Sequence, residues 1–247
     1  MIPALLIGRE GSVGFPGKNV YPLLGRALME YPLLAANGSR HIDALYVSTD
    51  SAEIREISRG YGARIIDRPP ELCTASALGE DVFVHGYRWI QEGLPPADSV
   101  EMLVLLMCNA PTITPGLIDE GIEVLRAHPD YDSAVSVSKY NMYSPLRART
   151  IGRDGLLHPF VPFETFGDPG TLNCDRDSQG DVWFADMGAS IVRPRNLEHL
   201  EEGLLPQKWM GRRIFPLKQW GGLDIDYEWQ VPQAGFWLEK HGYREVH

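Results

Sequence analysis

The sequence predicts a mainly parallel, doubly wound α/β sheet. The first observation is alternation: short apolar runs are separated by segments in which apolar residues recur at helical spacing. The second is the stretch 102–107, which is apolar without interruption, as expected for the middle of a parallel sheet. Alternation of this kind favours βαβ units with right-handed crossovers in one sheet.

Each element rests on a local pattern. The predicted strands are 4–7, 44–47, 63–66, 102–107 and 133–137, and the predicted helices are 27–36, 51–61, 80–91 and 115–127. The pair Asn37-Gly38 is a helix stop that ends the first helix. Asp50, followed three residues later by Glu53, is typical of a helix N-cap with its capping partner.

The pattern changes over 139–186. Helical periodicity vanishes there, and glycine, proline and aromatic residues become frequent. So long an irregular stretch is unusual inside a compact domain. We predict one domain over 1–247, with 139–186 inserted as an arm or lid. The aromatic content suits a buried interface better than a solvated loop, and a lid over the chain's own site is the alternative.

Composition narrows the class of protein. The 247 residues carry a net charge of −10, which argues against a general nucleic-acid surface, because such surfaces need clustered lysine and arginine. Cys73, Cys108 and Cys174 are odd in number and widely spaced, so we expect free thiols instead of disulfides or a zinc site. With no leader at the start and no apolar run of about 18 residues, we expect a cytoplasmic protein without a membrane partner.

A glycine-rich loop follows the first strand and spans 8–19. It has four glycines, one proline and the cations Arg9 and Lys18, and it comes at the end of a parallel strand. Glycine lets backbone N–H groups approach a ligand, so the loop suits phosphate oxygens. The spacing excludes a Walker loop and a dinucleotide fingerprint. From the residues alone, a surface turn remains equally open.

A pair of acids near the far end is the second strong signal. Asp224 and Asp226 flank Ile225, and in an extended chain both carboxylates share one face while Ile225 enters the core. Paired carboxylates beside a triphosphate suggest a Mg²⁺ site. An acidic strand end that caps the helix starting near Tyr227 is the alternative.

The string G-R-x-G-S-x-G-x-P-x-K-N resembles the signature loop of the CMP-acylneuraminate synthetase family, the cytidylyltransferases that make CMP-sialic acid and its relatives. Val13 stands where that family has lysine. Further matches are V-S-T-D-S around Asp50, R-P-x-x-L from Arg68, and D-I-D at 224–226. The resemblance covers nearly the whole chain and implies a Rossmann-like nucleotidyltransferase sheet with an inserted dimerisation arm.

Site residues follow from this resemblance. It implies that Arg9 and Lys18 are catalytic and that Asp224 and Asp226 bind the metal. The implied nucleotide-binding residues are Gly8, Arg9, Gly11, Ser12, Lys18, Asn19, Arg68 and Ser76. For Arg68, a solvated loop cation is the alternative to a nucleotide contact.

The acceptor half departs from the family pattern. Arg147 in P-L-R and Arg176 in C-D-R-D match basic elements that hold the acceptor's carboxylate. Met107 and Ile113, however, stand where the family has a sugar-contacting glutamine and an arginine. The family's arm reaches across a dimer, so a homodimer is implied.

We therefore predict a CTP-dependent cytidylyltransferase that uses Mg²⁺ and transfers CMP to an acidic acceptor, releasing pyrophosphate. The family default acceptor is a 2-keto sugar acid of the sialic type. A small phosphonate is the second possibility, since its oxygen is already anionic and it needs fewer sugar contacts. A non-catalytic nucleotide-binding protein is the third, because one loop cation is missing.

Overall fold

The computed structural model describes residues 1–11, 14–175 and 179–245. Its strands are β1 Pro3–Ile7, β2 Pro22–Leu23, β3 Arg26–Ala27, β4 Ala44–Thr49, β5 Arg64–Asp67, β6 Leu103–Met107, β7 Ser133–Lys139, β8 Arg149–Ile151, β9 Leu157–Pro159, β10 Trp183–Val192 and β11 Ile214–Gln219. Its α-helices are α1 Glu30–Gly38, α2 Ala52–Gly60, α3 Gly79–Glu92, α4 Pro115–Ala127, α5 Pro194–Glu198 and α6 Val231–Lys240. Within these residues, no helix combines the length and hydropathy needed to cross a bilayer.

Seven strands form the central sheet, in the order β11-β7-β10-β6-β1-β4-β5. β1 pairs in parallel with β4 and β6, and β4 pairs in parallel with β5. β10 is antiparallel to both of its neighbours, β6 and β7, whereas β11 is parallel to β7. The mainly parallel α/β sheet that the sequence predicts is confirmed.

The helices cover both faces of the sheet. Ala4 and Leu6 of β1 pack into a core that includes residues of α1, α2 and α4, and Leu5 packs into a second core with Phe83 and Tyr87 of α3. Successive strand side chains point to opposite faces, so a strand covered on both sides must be apolar throughout. This explains the uninterrupted apolar runs and the doubly wound arrangement.

Most predicted elements form, with shifts at their ends. The helix predicted over 115–127 has these bounds, and the three cysteines are unpaired as expected. The first helix begins at Glu30 and not at residue 27, because Arg26–Ala27 pairs with Pro22–Leu23 in a hairpin. α6 begins at Val231, after a 3₁₀ turn over Glu228–Gln230.

The segment 139–186 is less irregular than its composition predicts. β8 and β9 form an antiparallel hairpin within it, and short 3₁₀ turns connect the rest. The segment leaves the sheet at the end of β7 and returns at the start of β10, and we call it the arm. The prediction of one domain over 1–247, with 139–186 inserted as an arm or lid, stays a prediction.

Candidate nucleotide-binding site

A cleft of about 450 Å³ opens at the carboxyl ends of the parallel strands. This edge is where open α/β sheets bind ligands. Its wall is made where β1, β5 and β6 end, together with the start of α3 and residues 226–227. Of the predicted site residues, the cleft wall contains Gly8, Arg9, Lys18, Asn19, Arg68 and Asp226.

Two hydrogen bonds fix the glycine-rich loop on either side of Arg9. The Glu10 backbone N–H donates to Asp50 Oδ1 at 2.9 Å, and Asn19 Nδ2 donates to the Arg9 carbonyl at 3.1 Å. Asn19 is itself buried, so its amide is a fixed support. The loop that the sequence describes is therefore anchored to the ends of the sheet at the position of its first cation.

The N-cap prediction for Asp50 is wrong. Ser51 caps α2, with its Oγ accepting from the Ile54 N–H at 3.4 Å. The Asp50 carboxylate is turned instead toward the glycine-rich loop, where it accepts from Glu10. Aspartate and serine both serve as N-caps, so sequence spacing could not choose between the two neighbours.

Gly8 is required by packing at the floor of the cleft. A Cβ added there would lie 2.3 Å from Cys108 Sγ and 3.2 Å from Ile54 Cδ1. Both neighbours are buried, so they cannot move aside freely. The first glycine of the loop thus allows the strand end to pass directly over the Cys108 thiol, whose pKa burial raises to about 12.

The two ends of the chain meet through one ion pair. Lys18 Nζ lies 2.5 Å from Asp226 Oδ1, and the Lys18 side chain is 14% exposed against 58% for Asp226. Arg9 also lines the cleft, and it forms no ion pair within residues 1–11, 14–175 and 179–245. A ligand phosphate in the cleft could thus meet one unpaired cation and one held beside a carboxylate.

Arg68 is a partly buried brace, not a solvated loop cation. Its Nη2 donates to the carbonyls of Ser48 at 2.7 Å and Gly8 at 3.2 Å, at the ends of β4 and β1. Burial lowers the pKa of this guanidinium, and the charge of Asp50 opposes that effect. Arg68 therefore joins two strand ends while still facing the cleft.

The acidic segment has the alternation that its sequence predicts. Ile225 is fully buried, and it is held from both sides by Asn109, whose carbonyl accepts from the Ile225 N–H at 2.8 Å while its Nδ2 donates to the Ile225 carbonyl at 3.0 Å. Asp226 is exposed in the cleft wall. Asp224 is more enclosed and is not part of that wall.

The pKa of Asp224 is raised above its ordinary value, first by burial and then by the charge of Asp226, while Lys18 opposes the shift. Mutual repulsion, the cause that the D-x-D spacing suggests, is therefore the smaller contribution. Lys18, Asp224 and Asp226 are close enough to influence one another, and the acids outnumber the cation.

This donor set fits Mg²⁺. The ion prefers carboxylate and other hard oxygen ligands, and it usually keeps positions for water or substrate phosphates. Asp224 and Asp226 offer oxygens only, and the pKa of Asp224 is raised first by burial and then by the charge of Asp226, whose repulsion a bound cation would offset. These two residues could therefore hold the ion next to any phosphate that contacts Lys18.

Other predicted nucleotide-binding residues lie away from the cleft wall. Gly11 is exposed, and so is Ser76, whose Oγ is 3.1 Å from Thr74 Oγ1. Ser12 falls outside the described residues, as does the acceptor-binding candidate Arg176.

Arg147 lies at a different cavity, of about 580 Å³, which is lined by residues of the arm. Its Nη2 donates to the Cys174 carbonyl at 3.0 Å, and the neighbouring Arg149 guanidinium lies 5.2 Å from the centre of the Phe163 ring. No residue of the cleft wall lines this second cavity. The structure therefore does not bring Arg147 together with Lys18 within one described chain.

Two departures from the family pattern have different structural meanings. Met107 lies in the cleft wall, where it presents a thioether in place of a glutamine amide. Ile113 is fully buried in the core beside α4, so an arginine at this position could not be solvated. One substitution changes the cleft surface, and the other belongs to the packing beneath it.

Among the cleft-wall residues outside the predicted set, Asn109 and Tyr227 are the two with side chains that can form hydrogen bonds, and sequence reasoning missed both. The available signal for Asn109 was its place directly after the apolar strand β6, because polar residues at strand ends meet at one edge of a parallel sheet. Tyr227 had no such signal beyond following Asp226.

Comparisons with known proteins find similarity to cytidylyltransferases. Residues 3–85 match the family model described as cytidylyltransferase. The chain is 30% identical over 245 residues to N-acylneuraminate cytidylyltransferase A of Danio rerio, covering 98% of this chain and 52% of that protein. It is 26% identical over 232 residues to N-acylneuraminate cytidylyltransferase of Oncorhynchus mykiss, covering 94% of this chain and 49% of that protein.

The chain is related to the acylneuraminate cytidylyltransferases. The resemblance seen in the sequence is thereby confirmed, although the chain spans only about half the length of these curated relatives.

A solved structure supports the same fold. CMP:2-keto-3-deoxy-manno-octonic acid synthetase, in a complex with CTP, superimposes with a TM-score of 0.67 and 12% identity, covering 97% of this chain and 99% of that one. At that identity the likeness concerns the fold alone.

Proposed function

We propose that this chain is a CTP-dependent cytidylyltransferase that transfers CMP to an acidic acceptor. The observation that carries the proposal is the Lys18–Asp226 pair, which joins the glycine-rich loop to the D-I-D segment in one cleft. The names of the relatives suggest the chemistry, and Arg9, Lys18 and Asp226 in the cleft wall are charged groups that could serve it.

In the proposed reaction, an acceptor oxygen, which either gives up its hydroxyl proton to solvent or is already anionic, forms a bond to the α-phosphorus of CTP. The bond from that phosphorus to the bridging oxygen breaks, and pyrophosphate leaves with the electron pair. Transfer of this kind depends mostly on positioning and charge stabilisation. Arg9 and Lys18 would neutralise the phosphates, and the backbone of the anchored loop would orient them.

Lys18 has to exchange partners for this role. Its ammonium group lies against Asp226 in the structure, so phosphate binding would draw it toward the nucleotide. We propose that Asp224 and Asp226 hold Mg²⁺, which when bound would neutralise charge on the pyrophosphate. The D-I-D segment would then keep a cation beside its carboxylates when Lys18 turns to the substrate.

The base would be recognised beside Arg68 in the cleft wall. Arg68 is held there by the carbonyls of Gly8 and Ser48, and such a fixed arginine leaves little room for adjustment. A site of this kind should favour a pyrimidine over the larger purines.

We infer that the acceptor is a sugar acid, as the printed names of the relatives suggest. The sialic type of 2-keto sugar acid is the first choice. A small phosphonate is the second candidate, and Met107 favours it, because a thioether in the cleft wall cannot make the hydrogen bonds of an amide.

We also propose a homodimer formed through the arm. Eight large apolar side chains of the arm are exposed in the single chain, which is typical of a protein interaction surface. They are Met142, Tyr143, Ile151, Leu156, Leu157, Phe160, Trp183 and Phe184. Sedimentation should show a dimer at micromolar concentration, and a monomer would contradict this part of the proposal.

The test of the function is pyrophosphate release with each of the four nucleoside triphosphates, Mg²⁺ and a panel of acids. The panel contains a sialic-type acid, a 2-keto-3-deoxy-octonic acid and a small phosphonate. We expect release with CTP and one class of acid. A preference for ATP or GTP would overturn the base assignment. If no acid supports release while CTP still raises the melting temperature, the chain is a nucleotide-binding protein without this activity.

A further inference from the structure

A buried carboxylate that the proposed mechanism does not use lies beside Gly222, two residues before the D-I-D segment. Asp186 is 4% exposed and sits where the pairing of β10 with β7 is interrupted. Its Oδ1 accepts from Ser136 Oγ at 2.6 Å and from the Gly188 N–H at 3.2 Å. Its Oδ2 accepts from Ser138 Oγ at 2.7 Å and from Gln219 Nε2 at 2.9 Å.

No cation pairs with Asp186 in the part of the chain that the structure describes, so its four hydrogen bonds come from neutral groups. A buried carboxylate without a counter-ion is costly, and its donors must be held in place to compensate for lost water. Groups that satisfy Asp186 are therefore fixed relative to one another.

Two of these donors lead directly to the segment that carries the acids. Ser138 Oγ also accepts from the Gly222 N–H at 2.9 Å, and Gln219 Nε2 also donates to the Thr112 carbonyl at 3.0 Å. A Cβ added at Gly222 would lie 2.3 Å from Asp186 Oδ2, so only glycine lets the segment approach the carboxylate this closely.

The connection continues along the segment toward the cleft. Thr112 Oγ1 donates to the Leu223 carbonyl at 3.0 Å and accepts from the Leu223 N–H at 2.9 Å. The backbone is thus held at Gly222 through Ser138, which contacts Asp186, and at Leu223 through Thr112, which Gln219 connects to Asp186. Asn109 holds Ile225 separately, through its carbonyl and its amide, at the end of the segment nearest the cleft.

We propose that Asp186 is a positioning residue. It holds residues 219–226 in the conformation that places Asp224 and Asp226 beside Lys18. The part of this inference that concerns Mg²⁺ rests on the proposed function, whereas the ordering of the segment does not. Asp186 contacts no substrate and takes no part in bond formation.

The network requires a carboxylate, not an amide. In Asp186→Asn, an NH₂ group would replace Oδ2 and face the Gln219 NH₂. Rotating the asparagine amide would place its NH₂ group against the Gly188 N–H donor instead. Rotating the Gln219 amide would remove its donation to the Thr112 carbonyl. One buried N–H donor would be left without an acceptor, and this destabilises the structure around it.

The experiment compares Asp186→Asn with a matched control, Asp119→Asn. Asp119 is 5% exposed and also accepts from a serine hydroxyl, Ser39 Oγ at 2.6 Å, and from a backbone N–H. It lies on α4, where it binds Arg40 instead of the 219–226 segment. Both variants are measured for melting temperature, amide hydrogen exchange and Mg²⁺ affinity by calorimetry with CTP present and no acceptor.

We expect the amides of Gly222 and Leu223 to exchange at least about tenfold faster in Asp186→Asn, because their acceptors Ser138 and Thr112 lose their fixed positions, and the Ile225 amide to exchange faster because the segment that carries it loosens. Asp119→Asn should leave these three rates unchanged. The Mg²⁺ affinity should fall about tenfold in Asp186→Asn only, as is usual when a support of a metal ligand is removed.

Equal exchange in the two variants would overturn the proposal, as would faster exchange with unchanged Mg²⁺ affinity. If Asp186→Asn does not fold, Ser138→Ala is measured instead, because it removes the hydroxyl that links Asp186 to Gly222. The same two outcomes would then overturn the proposal. If the wild-type chain binds no Mg²⁺ with CTP, the proposed function fails, and the exchange rates alone then decide whether Asp186 orders the segment.

Discussion

The charged side chains of the cleft and those of the arm differ in how distant their bonding partners are in the sequence. In the cleft, Lys18 pairs with Asp226 and Arg68 binds two strand ends, so groups distant in sequence contact one another. In the arm, Arg147 donates to the carbonyl of Cys174, another arm residue, and large apolar side chains remain exposed. The cleft is assembled within a single chain, whereas the arm has surface that a second chain could bury.

This difference explains why the nucleotide half and the acceptor half of the predicted site separate in the structure. The nucleotide residues follow the ends of adjacent parallel strands, and the sheet alone brings them together. The arm joins the sheet at β7 and β10, where Tyr140 and Asp186 also hydrogen-bond to residues 219–222, whereas β8 and β9 lie outside the central sheet. Four predictions test this comparison, in order of decreasing effect.

Asp226→Asn should abolish Mg²⁺-dependent pyrophosphate release while the chain still folds. The carboxylate is more than half exposed, so losing its pair with Lys18 should change the free energy of unfolding by less than about 1 kcal/mol. Melting temperature and release are measured on one preparation. Asp130→Asn is the control, since Asp130 is similarly exposed and pairs with Arg213. An active but unstable Asp226→Asn would show that the pair is a structural cap.

Lys18→Ala should lower kcat by about 10²–10³, the usual effect of removing one charge-stabilising group. Arg147→Ala should instead raise KM for the acceptor and leave CTP binding nearly intact. Steady-state kinetics with each substrate varied separate the two effects. Lys240→Ala, on the exposed side of α6 against Phe236, is the control. Near-normal turnover in Lys18→Ala would show that the loop does not hold the reacting phosphates.

Mixing Lys18→Ala with Arg147→Ala tests the arm directly. If the arm serves the partner's cleft, a mixed dimer has one site with both Lys18 and Arg147. After subunit exchange, about a quarter of all sites should be intact, and activity should recover to that level when it is measured at an acceptor concentration well below the KM of Arg147→Ala. Each variant mixed with itself is the control. An exchanged mixture that is no more active than its parts would mean that each arm covers its own cleft.

Asp224→Asn should change the pH dependence of stability without metal. Burial and the charge of Asp226 raise the pKa of Asp224 in the fold, so its protonated form stabilises the protein at low pH. That stability is lost as the pH rises through the raised pKa. An asparagine cannot ionise, so the melting temperature of the variant should rise relative to that of the wild type as the pH increases above the ordinary aspartate pKa of about 4. Parallel curves over this range would contradict the assignment.

Prediction from sequence worked best where the signal is local. Alternation identified the sheet and most of its strands, and the glycine-rich loop identified the cleft through Arg9 and Lys18. Prediction failed where two neighbouring residues could both cap a helix. Ser51 caps α2, and Asp50 instead accepts a hydrogen bond from the glycine-rich loop. The hairpin β2–β3 shortened α1 for a similar reason, because pairing competes with helix formation and its outcome depends on long-range contacts.

By itself the sequence determined the doubly wound α/β sheet, the glycine-rich loop after its first strand and the burial of Ile225 between two acids. These follow from periodicity, backbone freedom at glycine and the alternation of side chains along an extended chain. Only the tertiary structure decided that Lys18 meets Asp226, that Arg68 braces two strand ends, and that Asp186 lies beneath Gly222. Such contacts join residues far apart in the chain, and the packing of the whole sheet sets their distances.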